Sequence, residues 1–187
     1  MIITITGKPC SGKGTAAKAF CKEYGFEYVC TGDMFRSIAK EMGYDNILDF
    51  QKENLDITKV DNIIDTKTTE LGKTSLYKDI VIDSRLAWNF IPNSFKVFID
   101  VDETEAAKRL LLANRETEKI STLEEAKQVL FERWNTENGR YMELYGVNNL
   151  NKKNYDYVIN STKLTPEQII KKIHKKYEKF LKKLKNN

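Results

Sequence analysis

A glycine-rich segment near the start of the chain has the composition and spacing of a phosphate-binding loop. It reads Gly7-Lys8-Pro9-Cys10-Ser11-Gly12-Lys13-Gly14-Thr15 and fits the pattern G-x-x-x-x-G-K. Glycines let backbone N–H groups turn towards an anion, and a helix that begins at such a loop adds the positive end of its dipole. We predict that every residue of this segment except Lys8 binds the phosphates of a nucleoside triphosphate, and that Lys13 also neutralises charge on the transferred group.

Two oxygen-bearing side chains near this loop are candidates for holding Mg²⁺. Thr15 follows the loop lysine only after Gly14, one position later than the hydroxyl of the common pattern. Asp83 ends a predicted buried strand, where a carboxylate can hold Mg²⁺, in part through water, beside a triphosphate. The expected cofactor is therefore Mg²⁺ that arrives with the triphosphate, with Asp83 and Thr15 as its candidate ligands.

Arginine is scarce in a chain that is otherwise rich in lysine. Six of the 31 basic residues are arginines, namely Arg36, Arg85, Arg109, Arg115, Arg133 and Arg140. The planar guanidinium group can form two parallel hydrogen bonds to a phosphate, whereas lysine supplies a point charge. These arginines are therefore candidate ligands of a second phosphate group. The alternative for each of them is an ion pair with a surface carboxylate.

Strands and helices are predicted to alternate along the chain. The hydrophobic pattern indicates strands at 2–5, 26–30, 79–83, 95–101 and 155–159, and helices at 13–24, 34–42, 47–54, 58–73, around 106–111, around 123–145 and from 165 onward. This order gives a parallel sheet covered by helices on both faces. Ligands of such sheets bind at the carboxyl ends of the strands, where the phosphate loop, Asp83 and the segment after residue 30 are expected to meet.

Several segments match motifs of one enzyme family. They are Gly12-Lys13-Gly14-Thr15, Thr31-Gly32-Asp33-Met34-Phe35-Arg36, Asp56-Ile57-Thr58-Lys59-Val60-Asp61, Asp83-Ser84-Arg85-Leu86-Ala87-Trp88 and Arg140-Tyr141-Met142-Glu143-Leu144-Tyr145-Gly146-Val147. The first two resemble the nucleoside-monophosphate kinases in general, and the others resemble the archaeal-type cytidylate kinases. The resemblance extends from Ile2 to about Lys171.

This resemblance implies a fold and a set of site residues. The fold is a three-layer α/β P-loop fold in a single kinase domain over 1–187, with a helical acceptor-binding insertion at about 33–74 and a short lid at about 112–121. Arg109 and Arg115 would neutralise the transferring group on lid closure, and Arg140 would bind the acceptor or the transition state; a plain surface position is the alternative for Arg109. The implied acceptor-binding residues are Thr31, Asp33, Arg36, Arg85, Arg133 and Tyr141. Asp33 can also simply cap its helix.

The implied activity is transfer of the γ-phosphate of ATP to CMP or dCMP. Phosphoryl transfer depends on positioning and charge neutralisation and needs no general base. The presence of only one histidine in the chain therefore does not argue against this chemistry. Two differences from the family leave other acceptors open: Ser84 replaces a glycine, and Thr31-Gly32-Asp33 is closer to the adenylate kinases. The alternatives are a small P-loop kinase for AMP, UMP or a non-nucleotide acceptor, and a nucleotide-binding regulator with little turnover.

We expect a cytoplasmic monomer that binds neither membranes nor nucleic acid. The longest apolar runs are only a few residues, too short to cross a bilayer. The net charge of +4 suits an anionic ligand without identifying it. The lysine-rich segment 171–187 has apolar residues at helical spacing, which favours a packed helix with a solvated outer face over a surface for nucleic acid.

Overall fold

The predicted strands form one five-stranded parallel sheet. The computed structural model describes residues 1–44, 57–73, 79–113 and 120–186. Its strands are β1 (Ile2–Gly7), β2 (Glu27–Cys30), β3 (Ile80–Asp83), β4 (Phe95–Asp100) and β5 (Tyr157–Asn160). They pair in the order β2-β3-β1-β4-β5, and every pair is parallel. The predicted α/β architecture is confirmed.

Helices cover both faces of the sheet. They are α1 (Lys13–Tyr24), α2 (Thr31–Glu41), α3 (Ile57–Lys73), α4 (Ala87–Phe90), α5 (Glu103–Leu112), α6 (Leu123–Tyr145) and α7 (Pro166–Asn186), with a short 3-10 helix at Lys152–Asn154. The helix predicted at 47–54 and most of the predicted lid lie outside the described residues. Within the described ranges, no helix is both long enough and apolar enough to cross a membrane.

The core on one face of the sheet lies between the strands and helices α1 and α7. It includes fully buried Ile3, Val97, Phe20 and Ile173. On the other face, Phe98 packs with Trp88 and Tyr155, and Ile80 and Ile82 pack near α4. Because strands of a covered parallel sheet are buried on both sides, they need continuous apolar runs, as in Ile80-Val81-Ile82.

β5 begins two residues later than the sequence pattern indicates. The short helix at Lys152–Asn154 precedes it, and Tyr155 turns its ring into the core beside Trp88. The Tyr155 hydroxyl donates a hydrogen bond to the Asn149 side-chain oxygen at 2.7 Å. Tyr155 is therefore buried by side-chain packing rather than by strand pairing, and the apolar pattern alone does not distinguish these two cases.

Helix α7 is expected to stabilise the fold through its inner face. Ile173→Ala removes a fully buried side chain between α7 and the sheet and should lower the free energy of unfolding by about 2–5 kcal/mol. Leu184→Ala, on the same helix but 51% exposed, is the matched control and should change it by less than about 1 kcal/mol. Urea denaturation measures both. Equal losses would contradict this packing.

Candidate active site

The phosphate loop is fixed at the carboxyl end of β1 by a close backbone approach. The Lys8 N–H donates to the Ile99 carbonyl of β4 at 3.2 Å. A Cβ on Gly7 would collide with that same carbonyl oxygen and lie 2.8 Å from Ser11 Oγ. Only glycine fits here, which gives a steric reason for the first glycine of the motif.

The loop leads into a helix start that no side chain caps among the residues that the structure describes. Cys10 and Gly12 adopt left-handed φ angles of 58° and 79°. Gly12 precedes α1 without a side-chain cap, and the first turn of α1 contains no acidic residue. By contrast, Asp102 caps α5 through the N–H groups of Thr104 and Glu105. The first N–H groups of a helix have no partner within it, so those of α1 can bind an anion.

Lys13 and Asp83 meet between two neighbouring strands. Parallel pairing of β1 with β3 sets Ile5 beside Asp83, and the Lys13 ammonium group contacts Asp83 Oδ1. Asp83 is 3% exposed, and its Oδ2 accepts a hydrogen bond from Tyr28 at 3.1 Å. Burial, together with the nearby charge of Arg85, lowers the pKa of Lys13 to about 7. A polyanionic ligand would stabilise the charged form of Lys13 in this environment.

The residues near this pair fit Mg²⁺ that is bound with a triphosphate. A Cβ on Gly14 would lie 3.2 Å from Asp83 Oδ2, so the carboxylate faces the first turn of α1. Thr15 is exposed at that same turn. One buried carboxylate and one hydroxyl next to a phosphate loop suit a cation that takes its remaining ligands from phosphate and water.

Arg109 links the phosphate loop to the end of β5. Its Nη1 donates to the Cys10 carbonyl and to Ser161 Oγ, both at 3.3 Å, and its Nη2 donates to the Ser161 carbonyl at 3.0 Å. Nε binds Glu105 at 2.9 Å. Ser161 in turn donates to the Ser11 carbonyl at 2.9 Å. In this arrangement Arg109 holds the loop in shape.

A cavity of about 340 Å³ opens beside Lys13 and Asp83. It lies between α2, α3, the β3–α4 turn and α6. Ser84 Oγ accepts hydrogen bonds from the Leu86 and Ala87 N–H groups at 3.3 and 3.2 Å, which shapes the turn that carries Arg85. The lining residues with polar or aromatic side chains include Lys13, Thr31, Arg36, Asp61, Asp65, Asp83, Arg85, Arg133, Glu137, Arg140, Tyr141 and Tyr145.

One face of α6 supplies five of these residues. Arg133, Glu137, Arg140, Tyr141 and Tyr145 follow the spacing of a helix face. Glu137 pairs with Arg85 at 2.9 Å and with Arg133 at 3.5 Å. Glu137 therefore pairs with two of the arginines of the cavity.

The opposite wall of the cavity, formed by α3, is acidic. Asp61 lies 3.5 Å from Arg140 Nε, and Asp65 accepts a hydrogen bond from the Tyr145 hydroxyl. Burial raises the pKa of both carboxyl groups, and Arg140 opposes the rise in each. Positive charge is thus concentrated towards Lys13, and negative charge towards α3.

Most of the predicted site residues are brought together. The cavity gathers Lys13, Asp83 and, from the acceptor set, Thr31, Arg36, Arg85, Arg133 and Tyr141, together with Arg140. Asp33 pairs with Arg36 at the exposed start of α2. Arg109 contacts the phosphate loop instead of the cavity, and Arg115 lies outside the described residues. The residue roles themselves stay predictions.

The charge partners of the arginines were missed by sequence reasoning. Glu137 contacts Arg85, Asp61 contacts Arg140 and Ser161 contacts Arg109. Asp65 and Tyr145 line the cavity. None of these five was a candidate. Glu137 lies four residues after Arg133, and Asp65 lies four after Asp61, so helical spacing offered a signal for both. Ser161 offered none, because its contacts with Ser11 and Asp100 join segments distant in sequence.

Comparison with known proteins identifies the family. A model of the cytidylate kinase-like family matches residues 2–163. The chain belongs to this family. A cytidylate kinase of Methanococcus aeolicus is 36% identical over 165 residues, which cover 87% of this chain and 89% of that protein. The chain is accordingly a phosphotransferase of the cytidylate kinase-like family.

Two further matches concern the domain and the fold. An S-adenosylmethionine-dependent nucleotide dehydratase of Lacinutrix mariniflava is 34% identical over 95% of this chain, which spans only 36% of that protein. The crystal structure of shikimate kinase from Bacteroides thetaiotaomicron superposes with a TM-score of 0.66 at 14% identity, covering 95% of this chain and 98% of that one. This cytidylate kinase-like chain therefore has the P-loop kinase fold, and its sequence is also similar to part of a larger protein.

Removing Arg109 should impair ATP binding more than acceptor binding. Arg109→Ala leaves the Cys10 and Ser161 carbonyls without their donor, so the free energy of unfolding should fall by about 1–3 kcal/mol and the KM for ATP should rise. The KM for the acceptor should stay close to that of the wild type. Lys108→Ala, an exposed neighbour on α5, is the control. A fall in kcat with both KM values unchanged would instead indicate that Arg109 acts on the transferring group.

Proposed function

We propose that the chain transfers the γ-phosphate of ATP to CMP or dCMP. The observation that carries this proposal is that one cavity contains both halves of the expected site. Lys13 and Asp83 lie in it beside the phosphate loop, and they adjoin Arg36 and Arg85. Such a cavity has room for an acceptor phosphate next to the donor phosphate. The relatives named cytidylate kinase support a cytidine nucleotide as the acceptor.

In this proposal the phosphate loop and Lys13 bind the triphosphate, while Arg36 and Arg85 bind the acceptor phosphate. An oxygen of the acceptor phosphate forms a bond to the γ-phosphorus as the bond to the β,γ-bridging oxygen breaks, and ADP leaves with that electron pair. The acceptor phosphate is already ionised at neutral pH, so no general base is needed. Thr31 and Tyr141 line the acceptor side, and Arg133 and Arg140 add positive charge along α6.

The remaining assignments concern the metal and the surroundings of the site. Asp83 and Thr15 would hold Mg²⁺, which when bound neutralises charge on the β- and γ-phosphates. Arg115 belongs to the proposed lid, where closure would bring it to the transferring group and exclude water. A monomer leaves the lid and the acceptor-binding helices free to move, and we propose that state for the chain.

The acceptor can be identified with a coupled ADP-release assay. ATP and Mg²⁺ are supplied with CMP, dCMP, UMP, AMP or GMP in turn, and CMP and dCMP should give the highest kcat/KM. Lys13→Ala should lower the rate with CMP at least about a hundredfold, because it removes a charge at the position where negative charge develops. Lys22→Ala, an exposed lysine on the same helix, should leave the rate unchanged.

Other outcomes of this assay would contradict the proposal. Faster turnover of AMP would assign the chain to phosphorylation of adenylate. The segment Thr31-Gly32-Asp33, which is closer to the adenylate kinases, allows that outcome. Absence of turnover with every monophosphate would overturn nucleotide phosphorylation by this chain.

A further inference from the structure

Two buried polar atoms in the acceptor cavity face each other without a hydrogen bond. Asp61 Oδ2 and Arg140 Nε are 3.5 Å apart, and neither has a hydrogen-bond partner within the part of the chain that the structure describes. The other two atoms of this kind there are Ser11 Oγ, in the phosphate loop, and Asp83 Oδ1, which contacts the Lys13 ammonium group. Buried polar atoms without partners are rare in proteins. Asp61 and Arg140 thus form an ion pair without a hydrogen bond, which leaves hydrogen-bonding capacity on both side chains for a ligand.

The charges of the cavity determine which part of an acceptor nucleotide can reach Asp61. Arg85 and Arg36 lie close enough to Lys13 to lower its pKa, so the positive end of the cavity adjoins the phosphate loop. Asp61 and Asp65 form the opposite end on α3. A phosphate dianion is attracted to the first end and repelled by the second. The uncharged part of the nucleotide must therefore face Asp61.

Asp61 and Arg140 present an acceptor beside a donor. In cytosine the exocyclic amine donates and the adjacent ring nitrogen accepts, whereas uracil has an oxo acceptor beside a ring N–H donor. The cytosine pattern complements a carboxylate beside a guanidinium group. The uracil pattern would place an oxo group against the carboxylate, and these two acceptors repel each other. We propose that Asp61 and Arg140 read the edge of the base and select an amino base over an oxo base. This inference rests on the proposed function.

The surroundings of the pair suit a planar base. Ile64, one turn after Asp61, is 8% exposed, and Tyr141, next to Arg140, is 7% exposed. The guanidinium carbon of Arg140 lies 5.6 Å from the centre of the Tyr141 ring. Both side chains line the cavity together with Phe35 and Leu86. These apolar groups can contact the faces of a ring whose edge is read by Asp61 and Arg140.

The variant Asp61→Asn tests the inference because an amide both accepts and donates. Its oxygen can still accept from the cytosine amine, and its NH₂ group can donate to the oxo group of uracil. We expect the ratio of kcat/KM for CMP to that for UMP to fall about ten- to a hundredfold. The ratio for CMP to dCMP should not change. Glu70→Gln, an exposed residue on the same helix, is the matched control and should alter neither ratio.

Four results would overturn the inference. An equal loss with CMP and UMP would show that the pair only holds α3 to α6. A change confined to the ratio of CMP to dCMP would place the sugar, instead of the base, at Asp61. If wild type turns over CMP and UMP equally well, no selection between the two bases exists. Absence of turnover with every nucleotide would overturn the proposed function, and this inference with it.

A second variant and a binding measurement keep the test independent of catalysis. Arg140→Lys keeps the charge but loses the planar donor, so it should also lower the preference for CMP. Calorimetric titration of each variant with CMP and with UMP, without ATP, should show the same change in the ratio of dissociation constants. A ratio unchanged from wild type in both variants would contradict base reading.

Discussion

The contact between Lys13 and Asp83 is the interaction on which the rest of the site depends. It joins the loop after β1 to the end of β3, and it exists because those two strands are parallel neighbours with Ile5 beside Asp83. Burying a lysine is costly, and burial lowers its pKa to about 7. The carboxylate and a polyanionic ligand both offset that cost. The phosphate loop is therefore built around a charge that a triphosphate stabilises.

On the proposed acceptor side, basic side chains are likewise paired with carboxylates. Arg85, Arg133 and Arg140 are paired with Glu137 or Asp61. A phosphate bound at Arg85 would compete with Glu137 for that arginine, so its binding would exchange one ion pair for another. Since an ion pair in a partly buried site is worth more than one on the surface, such an exchange favours a ligand whose charge and shape match the whole cavity.

The fold and the position of the phosphate loop could be predicted from the sequence because local patterns encode them. The strands are continuous apolar runs, and the phosphate loop is one contiguous motif between β1 and α1. The pairings inside the acceptor cavity could not be predicted in the same way, because Asp61, Arg85 and Glu137 come from three separate elements. Arg109 shows the limit most clearly: its sequence position is that of a residue near a lid, but its partners Cys10 and Ser161 are defined only by the folded chain.

The central claim is that this cavity transfers a phosphoryl group between nucleotides. Incubating the wild-type chain with radioactive γ-labelled ATP, Mg²⁺ and CMP, followed by chromatographic separation of the products, tests it most directly. The account predicts label in CDP, and little in inorganic phosphate because a filled cavity excludes water. Label found only in inorganic phosphate, or remaining in ATP, would contradict the account, since the acceptor cavity would then not serve phosphoryl transfer to this nucleotide.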